Sequence, residues 1–257
     1  MTCIIGMYCE DLRKAVVIAD SRVMLGQDYD TDRKIHWLDQ KTVAAFAGYS
    51  GIATQLMGGA QLRLKDQPET YEGSIIRALE HEMYQLWDEY KTGRRPRFRP
   101  DEALADGILA TAIQETPILY AFHENGWAEP YVSGYRATGD GDRYARQILK
   151  HLYDPKMGVE RAIEVGVYIL VQIARLDSVV DDNAQVAVVE PKQKTVIRIL
   201  NETDGGFDFE PEALREVKKK INGIESKRTK LFKALMEDVP GAREAFDKWV
   251  HEFAADK

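Results

Sequence analysis

Threonine 2 stands directly behind Met1, at the head of the run TCIIGMYC, where its type and place together suggest chemistry. A threonine hydroxyl is a weak nucleophile unless a base takes its proton. At a free N-terminus the residue carries that base itself. An α-amine titrates at about 7.7–8.0, so a useful fraction is unprotonated near neutral pH and can accept the hydroxyl proton. Methionine aminopeptidase trims Met before a small second residue, so the mature chain is expected to begin with nucleophile and base in one residue. Many chains start Met-Thr and fray there, so the weight falls on what surrounds Thr2.

Other chemistries find little support. The five histidines, His36, His81, His123, His151 and His251, show no H-E-x-x-H or paired spacing, so a histidine-metal hydrolase is unsupported. DSVVDDN and GDGD offer oxygen ligands but fit no EF-hand loop and read as turns. Cys3 and Cys9 form neither a CxxC nor a disulfide framework. No cofactor is expected. No G-x-x-x-x-G-K-[ST] occurs, so any ATP-driven step must come from another chain.

The formal charge of −7 argues against general affinity for nucleic acid. Lys218 to Lys233 holds seven basic residues against one acidic, Glu225, and reads as a solvated helix face. Even the most apolar run, AIEVGVYILVQIA, carries Glu164 and Gln172, and it falls short of the roughly 18 residues that span a bilayer. With no basic-then-apolar leader, the expectation is a cytoplasmic protein without membrane contact.

The elements that would position Thr2 follow from periodicity. TCIIGMYC and KAVVIAD are β-branched runs joined by a polar turn, and KIHWLD and TVAAFAG follow, so four early strands imply an antiparallel sheet. From Ser50 the spacing turns helical, with Ile75, Ile76, Leu79, Met83, Leu86, Trp87 and Tyr90 three and four apart. GILATAI, PILYAFH and AEPYVSGY predict a second sheet, RYARQILKHLY and GVERAIEVGVYILVQIARLD two more helices, and QVAVVEP with TVIRIL a hairpin. This order predicts an α+β fold: a four-layer αββα sandwich of two stacked antiparallel sheets with helices on both outer faces. Residues 2–204 form that domain, and residues 205–257 a helical C-terminal extension with Pro211 suited to a first helical turn.

TCIIG, VVIADSRV, DRKIHWL and VAAFAGYSG, in this order and approximate spacing, resemble the proteasome β-subunit family of N-terminal-nucleophile threonine peptidases. KTVAAFAG is close to the version in the bacterial ATP-dependent protease peptidase subunit. RATGDGDRYA resembles the family's Gly-Ser-Gly turn, and the helix ending in RLDS its long helix ending in Arg/Lys-Asp. The resemblance covers roughly residues 2–200 and implies a catalytic Thr2. It implies Lys34 beside the hydroxyl, Asp20 holding Lys34, and the Gly48 N–H as oxyanion donor. Arg22, Gly139, Asp140 and Asp177 fall at supporting positions, and Phe46 and Ser50 on the substrate side, with Phe46 making the specificity pocket shallow and apolar.

Two departures stand out. Asp140 replaces the turn serine that contacts the amine, and Val180 or Asp181 replaces a serine after the helix-ending Asp. As a carboxylate, Asp140 would raise the amine's pKa and weaken it as a base. The resemblance further implies a homo-oligomeric ring that takes peptide or unfolded-protein substrates, with a possible separate ATPase or activator. Two alternatives remain: an amidase, acylase or transpeptidase built on the same nucleophile, and a catalytically silent ring subunit.

Overall fold

The computed structural model describes residues 2–25, 28–31, 34–48, 50–65, 72–92, 106–112, 115–123, 128–131, 134–176, 180, 183–191 and 196–200, with Lys219, Asn222, Gly223 and Ser226 beyond them. Two hydrophobic strands begin the chain, β1 (Ile4–Cys9) and β2 (Lys14–Asp20). They pair antiparallel from Ile4↔Ala19 to Cys9↔Lys14 around a turn in which Glu10, Asp11 and Leu12 have positive φ. Every residue of β1 is buried, as expected of a strand covered on both faces. A short hairpin, β3 (Arg22–Leu25) and β4 (Asp28–Thr31), precedes β5 (Ile35–Trp37) and β6 (Thr42–Ala47).

The helical pair is α1 (Ser50–Lys65) and α2 (Glu72–Lys91). Then come β7 (Asp106–Thr111), β8 (Ile118–Phe122), β9 (Ala128–Tyr131) and β10 (Tyr135–Thr138). Helices α3 (Asp142–Leu152) and α4 (Val159–Leu176) follow, and the hairpin β11 (Ala184–Val189) and β12 (Val196–Leu200) closes the series.

The strands form two five-stranded sheets, in the orders β10-β1-β2-β11-β12 and β5-β6-β7-β8-β9, with β3-β4 as a separate two-stranded sheet. All pairings are antiparallel. Between the large sheets lies a core rich in small residues, Ala15, Ala19, Ala45, Ala110 and Ala187 among Ile4, Val17, Ile35, Val43, Ile108 and Leu119. The opposite face of the second sheet packs Phe46, Leu109, Tyr120 and Phe122 against Leu56, Met57, Ile75 and Leu79 of α1 and α2. Helix α4 covers the first sheet; Gly166 lies so near Ile18 that a Cβ there would come within 2.0 Å of its side chain. The αββα sandwich expected from the sequence is therefore the observed fold.

Two details differ from that reading. The four early strands do not share a sheet: β1 and β2 lie in one, β5 and β6 in the other. AEPYVSGY is also not one strand, because β9 edges the second sheet while β10 crosses to pair with β1, Ile4↔Thr138 and Gly6↔Arg136. Period-2 burial marks a strand without naming its partner. The chain divides into two compact units, Met1–Phe209 and Glu210–Lys257. In the second, the four described residues are helical and exposed. No described helix is long and apolar enough to cross a membrane.

Candidate active site

Thr2 stands two residues before β1, and its backbone is held from several sides. Gly141 donates its N–H to the Thr2 carbonyl at 3.3 Å, and the Thr2 nitrogen donates to Asp140 Oδ2 at 3.2 Å. Gly139 has φ +86°, and a Cβ there would lie 2.2 Å from the Thr2 carbonyl oxygen. Glycine is thus required both for its backbone conformation and for the closeness of approach. Far from fraying, Thr2 is 2% exposed.

Asp20 is the last residue of β2 and fully buried. It extends the ladder past the strand end: its N–H donates to the Cys3 carbonyl at 3.2 Å, and the Cys3 N–H donates to its Oδ1 at 2.8 Å. Lys34, just before β5 and 6% exposed, donates through Nζ to Asp20 Oδ1 at 3.0 Å, to Asp20 Oδ2 at 2.9 Å and to Thr2 Oγ1 at 2.5 Å. An ammonium and a carboxylate so far from water are tolerable only when paired and hydrogen-bonded, and here both are. The positive charge sits on the hydroxyl oxygen, where it favours loss of the hydroxyl proton.

Gln185 on β11 went unremarked in the sequence. Its side-chain oxygen accepts the N–H groups of Lys34 at 2.8 Å and Ile35 at 3.1 Å, and the residue is 2% exposed. It thereby fixes the backbone from which the lysine reaches Thr2. A glutamine inside an apolar strand, in QVAVV, was the available signal, since buried polar groups are retained where they are hydrogen-bonded.

The remaining residues are placed as follows. Gly48 follows β6 at φ +130°, next to Ala47, whose side chain lies 3.3 Å from a Cβ built on Gly139. Arg22 opens β3, partly buried, two residues after Asp20. Phe46 is buried on the helix-facing side of its strand, edge-on to Phe122 and over Gly107, while Ala45 and Ala47 face the other sheet. Ser50 opens α1; its side chain, Asp177 and Asp181 lie outside the described residues, and Val180 is buried.

Burial, reinforced by Asp20 and opposed by Lys34, pushes the Cys3 thiol far up, so the neighbouring sulfur is no rival nucleophile. Among the described residues no group of three or more His, Cys, Asp or Glu could hold a metal ion. The arrangement is suited to activating one hydroxyl, with a positive charge on the oxygen and an acceptor at the adjoining nitrogen.

Comparison with known proteins places this geometry in a family context. Residues 2–189 match the family described as proteasome subunit. The proteasome subunit alpha of Methanococcus maripaludis is 25% identical over 235 residues, covering 89% of this chain and 83% of the relative. The proteasome subunit alpha type-7 of Caenorhabditis elegans is 25% identical over 169 residues, covering 64% of this chain and 63% of the relative.

Proposed function

The chain belongs to the proteasome subunit family, and on that premise we propose that it is a threonine peptidase acting through Thr2 once the Met1–Thr2 bond is cut. The observation that carries this reading is the buried Asp20–Lys34 pair with Lys34 Nζ 2.5 Å from Thr2 Oγ1.

Cleavage before Thr2 turns its nitrogen from an amide into an amine. That amine takes the Oγ1 proton, directly or through a water, as Oγ1 bonds to the substrate carbonyl carbon. Lys34 stabilises the charge developing on Oγ1. The Gly48 N–H meets the carbonyl oxygen as it becomes an oxyanion, a donor worth about 3 kcal/mol of barrier in comparable sites. Collapse breaks the C–N bond, and the departing amine takes the proton from the Thr2 ammonium. An ester on Thr2 remains, which water then hydrolyses with the Thr2 amine again as base. Substrates are peptides or unfolded proteins, with Ser50 on the substrate side, whereas Phe46, packed towards α1 and α2, belongs to the core instead of the shallow apolar pocket expected of it. The protein acts in the cytoplasm as a homo-oligomeric ring served by a separate ATPase or activator. Arg22 and Asp177 support the loop around the amine, and residues 205–257 are a helical extension suited to clasping a neighbouring subunit.

A second reading, a ring subunit without peptidase activity, draws on the Asp140 carboxylate 3.2 Å from the Thr2 nitrogen and on relatives named as alpha subunits. Such a carboxylate holds an amine in its charged form. Intact mass before and after incubation with a peptide β-lactone tests both readings. The peptidase reading expects a chain that starts at Thr2 and gains one inhibitor mass, located on Thr2 by fragmentation. Retention of Met1, or a Thr2 start that takes no label, rejects it.

A further inference from the structure

A pocket of about 190 Å³ is lined by residues of both large sheets and of α3, among them Asp106, His123, Arg136, Thr138, Asp142 and Arg146. Strand register gives its walls. Ile108 belongs to the core between the sheets and pairs with Ala121. Asp106 and His123, each two residues further along, therefore lie on the same face. Across from them Arg136 pairs with Gly6, and Thr138 with Ile4 of the same core. The first two turns of α3 supply Asp142 and Arg146.

Two links tie this pocket to the nucleophile. Thr138 adjoins Gly139, which packs on the Thr2 carbonyl and Ala47. Ala47 is in turn the strand partner of Asp106. The pocket is thus joined to Thr2 through Gly139 and Ala47.

Its charges are not all spoken for. Asp142 is bound by Arg146, and Asp106 has an interaction of its own. Arg136 has no hydrogen bond or ion pair among the described residues, although its charge reaches the buried Tyr131 hydroxyl. That hydroxyl has no hydrogen-bond partner among the described residues, and it lies 2.5 Å from a Cβ built on Gly6, the strand partner of Arg136. Tyr131 lies on β9, at the edge of the second sheet, and the partly buried Arg136 on β10, at the edge of the first; of the two, the guanidinium lines the pocket and has no acceptor among the described residues. A planar guanidinium with free N–H groups matches the two oxygens of a carboxylate.

We propose that the pocket is a carboxylate-binding subsite in which Arg136 receives an acidic side chain, or the C-terminal carboxylate, of the peptide held at Thr2. The assignment rests on the peptidase reading for the peptide but on its own residues for the carboxylate.

The test uses the full chain and peptides that exchange Asp for Asn at successive positions around the cleaved bond, each with a free or an amidated C-terminus. At one position, or at the free terminus, the acid is expected to have a kcat/KM roughly tenfold above its amide, as for one charge-assisted bidentate contact. That ratio falls towards one in Arg136→Gln and is partly kept in Arg136→Lys. Which arm shows the gain separates side chain from terminus. A wild-type ratio below about twofold everywhere, or one that survives Arg136→Gln, overturns the proposal. If no peptide is cleaved, the peptidase reading fails, and anisotropy of the same peptides on Thr2→Ala protein still decides. Roughly tenfold tighter binding of the acid that is lost in Arg136→Gln supports the subsite, whereas equal binding of acid and amide refutes it.

Discussion

Replacing Asp20 by Asn tests the brace under Thr2 most severely. The substitution keeps the shape and leaves Oδ1 free to accept the Cys3 N–H, now at 2.8 Å. It removes the negative charge that takes both Lys34 hydrogen bonds, at 2.9 and 3.0 Å. At that separation, with an effective dielectric near 20, the gross attraction is about 6 kcal/mol. Much of this offsets the cost of keeping both charges from water, and losing one partner of a buried pair typically costs about 3–5 kcal/mol. Urea unfolding of Asp20→Asn should show a loss in that range, while peptide turnover should fall roughly a hundred- to a thousandfold for want of a fixed charge on Oγ1. Lys34→Met should behave alike, because it strands the carboxylate. Combining the two removes both buried charges, so the double variant is expected to be at least about 2 kcal/mol more stable than the sum of the single losses implies, yet to stay inactive. Additive losses, or wild-type stability in Asp20→Asn, would refute the argument that this pair is a mutually dependent buried brace.

Four further outcomes follow. Gln185→Leu unpairs the Lys34 and Ile35 N–H groups; a loss of about 2–4 kcal/mol is expected, with faster hydrogen exchange at those two amides. Asp140→Ser removes the carboxylate beside the Thr2 nitrogen. The amine's pKa then falls, and the rising limb of the kcat/KM profile should move to lower pH; an unmoved limb would separate Asp140 from the base. Gly139→Ala forces a Cβ onto the Thr2 carbonyl at φ +86° and should lower both thermal stability and turnover, measured by calorimetry and peptide assay. Burial, with Glu10 adding to it, pushes the Cys9 thiol up to about 12 from 9.0. The unfolded chain therefore releases this proton from about pH 9 while the folded chain keeps it. Stability should fall as pH rises from there towards 12, and Cys9→Ala should flatten that slope in urea titrations.

Much of the fold was legible along the chain because the relevant signals are local. Alternation in KAVVIAD and three-and-four spacing in EGSIIRALEHEMYQLWDEYK depend only on which face of one element is apolar. What went unread was partner choice. Nothing within KIHWLD says that it leaves the sheet of β1 and β2, and nothing in YRAT says that it returns to pair with β1. Those outcomes depend on which sheets can close over a shared core of Ala15, Ala45 and Ala110, a property of several segments at once.

The site divides along the same line. The chemical type of Thr2, the order of Asp20 and Lys34 after it, and the glycines at 48 and 139 are facts of the linear chain, and it was their resemblance to a threonine-peptidase family that nominated a nucleophile. Its burial, the three hydrogen bonds of Lys34 and the clamp from Gln185 exist only once β2, β5 and β11 converge on the head of β1. A side chain's reach and the dielectric around it are set by neighbours distant in sequence. Residue types therefore announce which chemistry is available, and packing alone decides that an ammonium stands 2.5 Å from a hydroxyl, out of water, with a carboxylate to keep it charged.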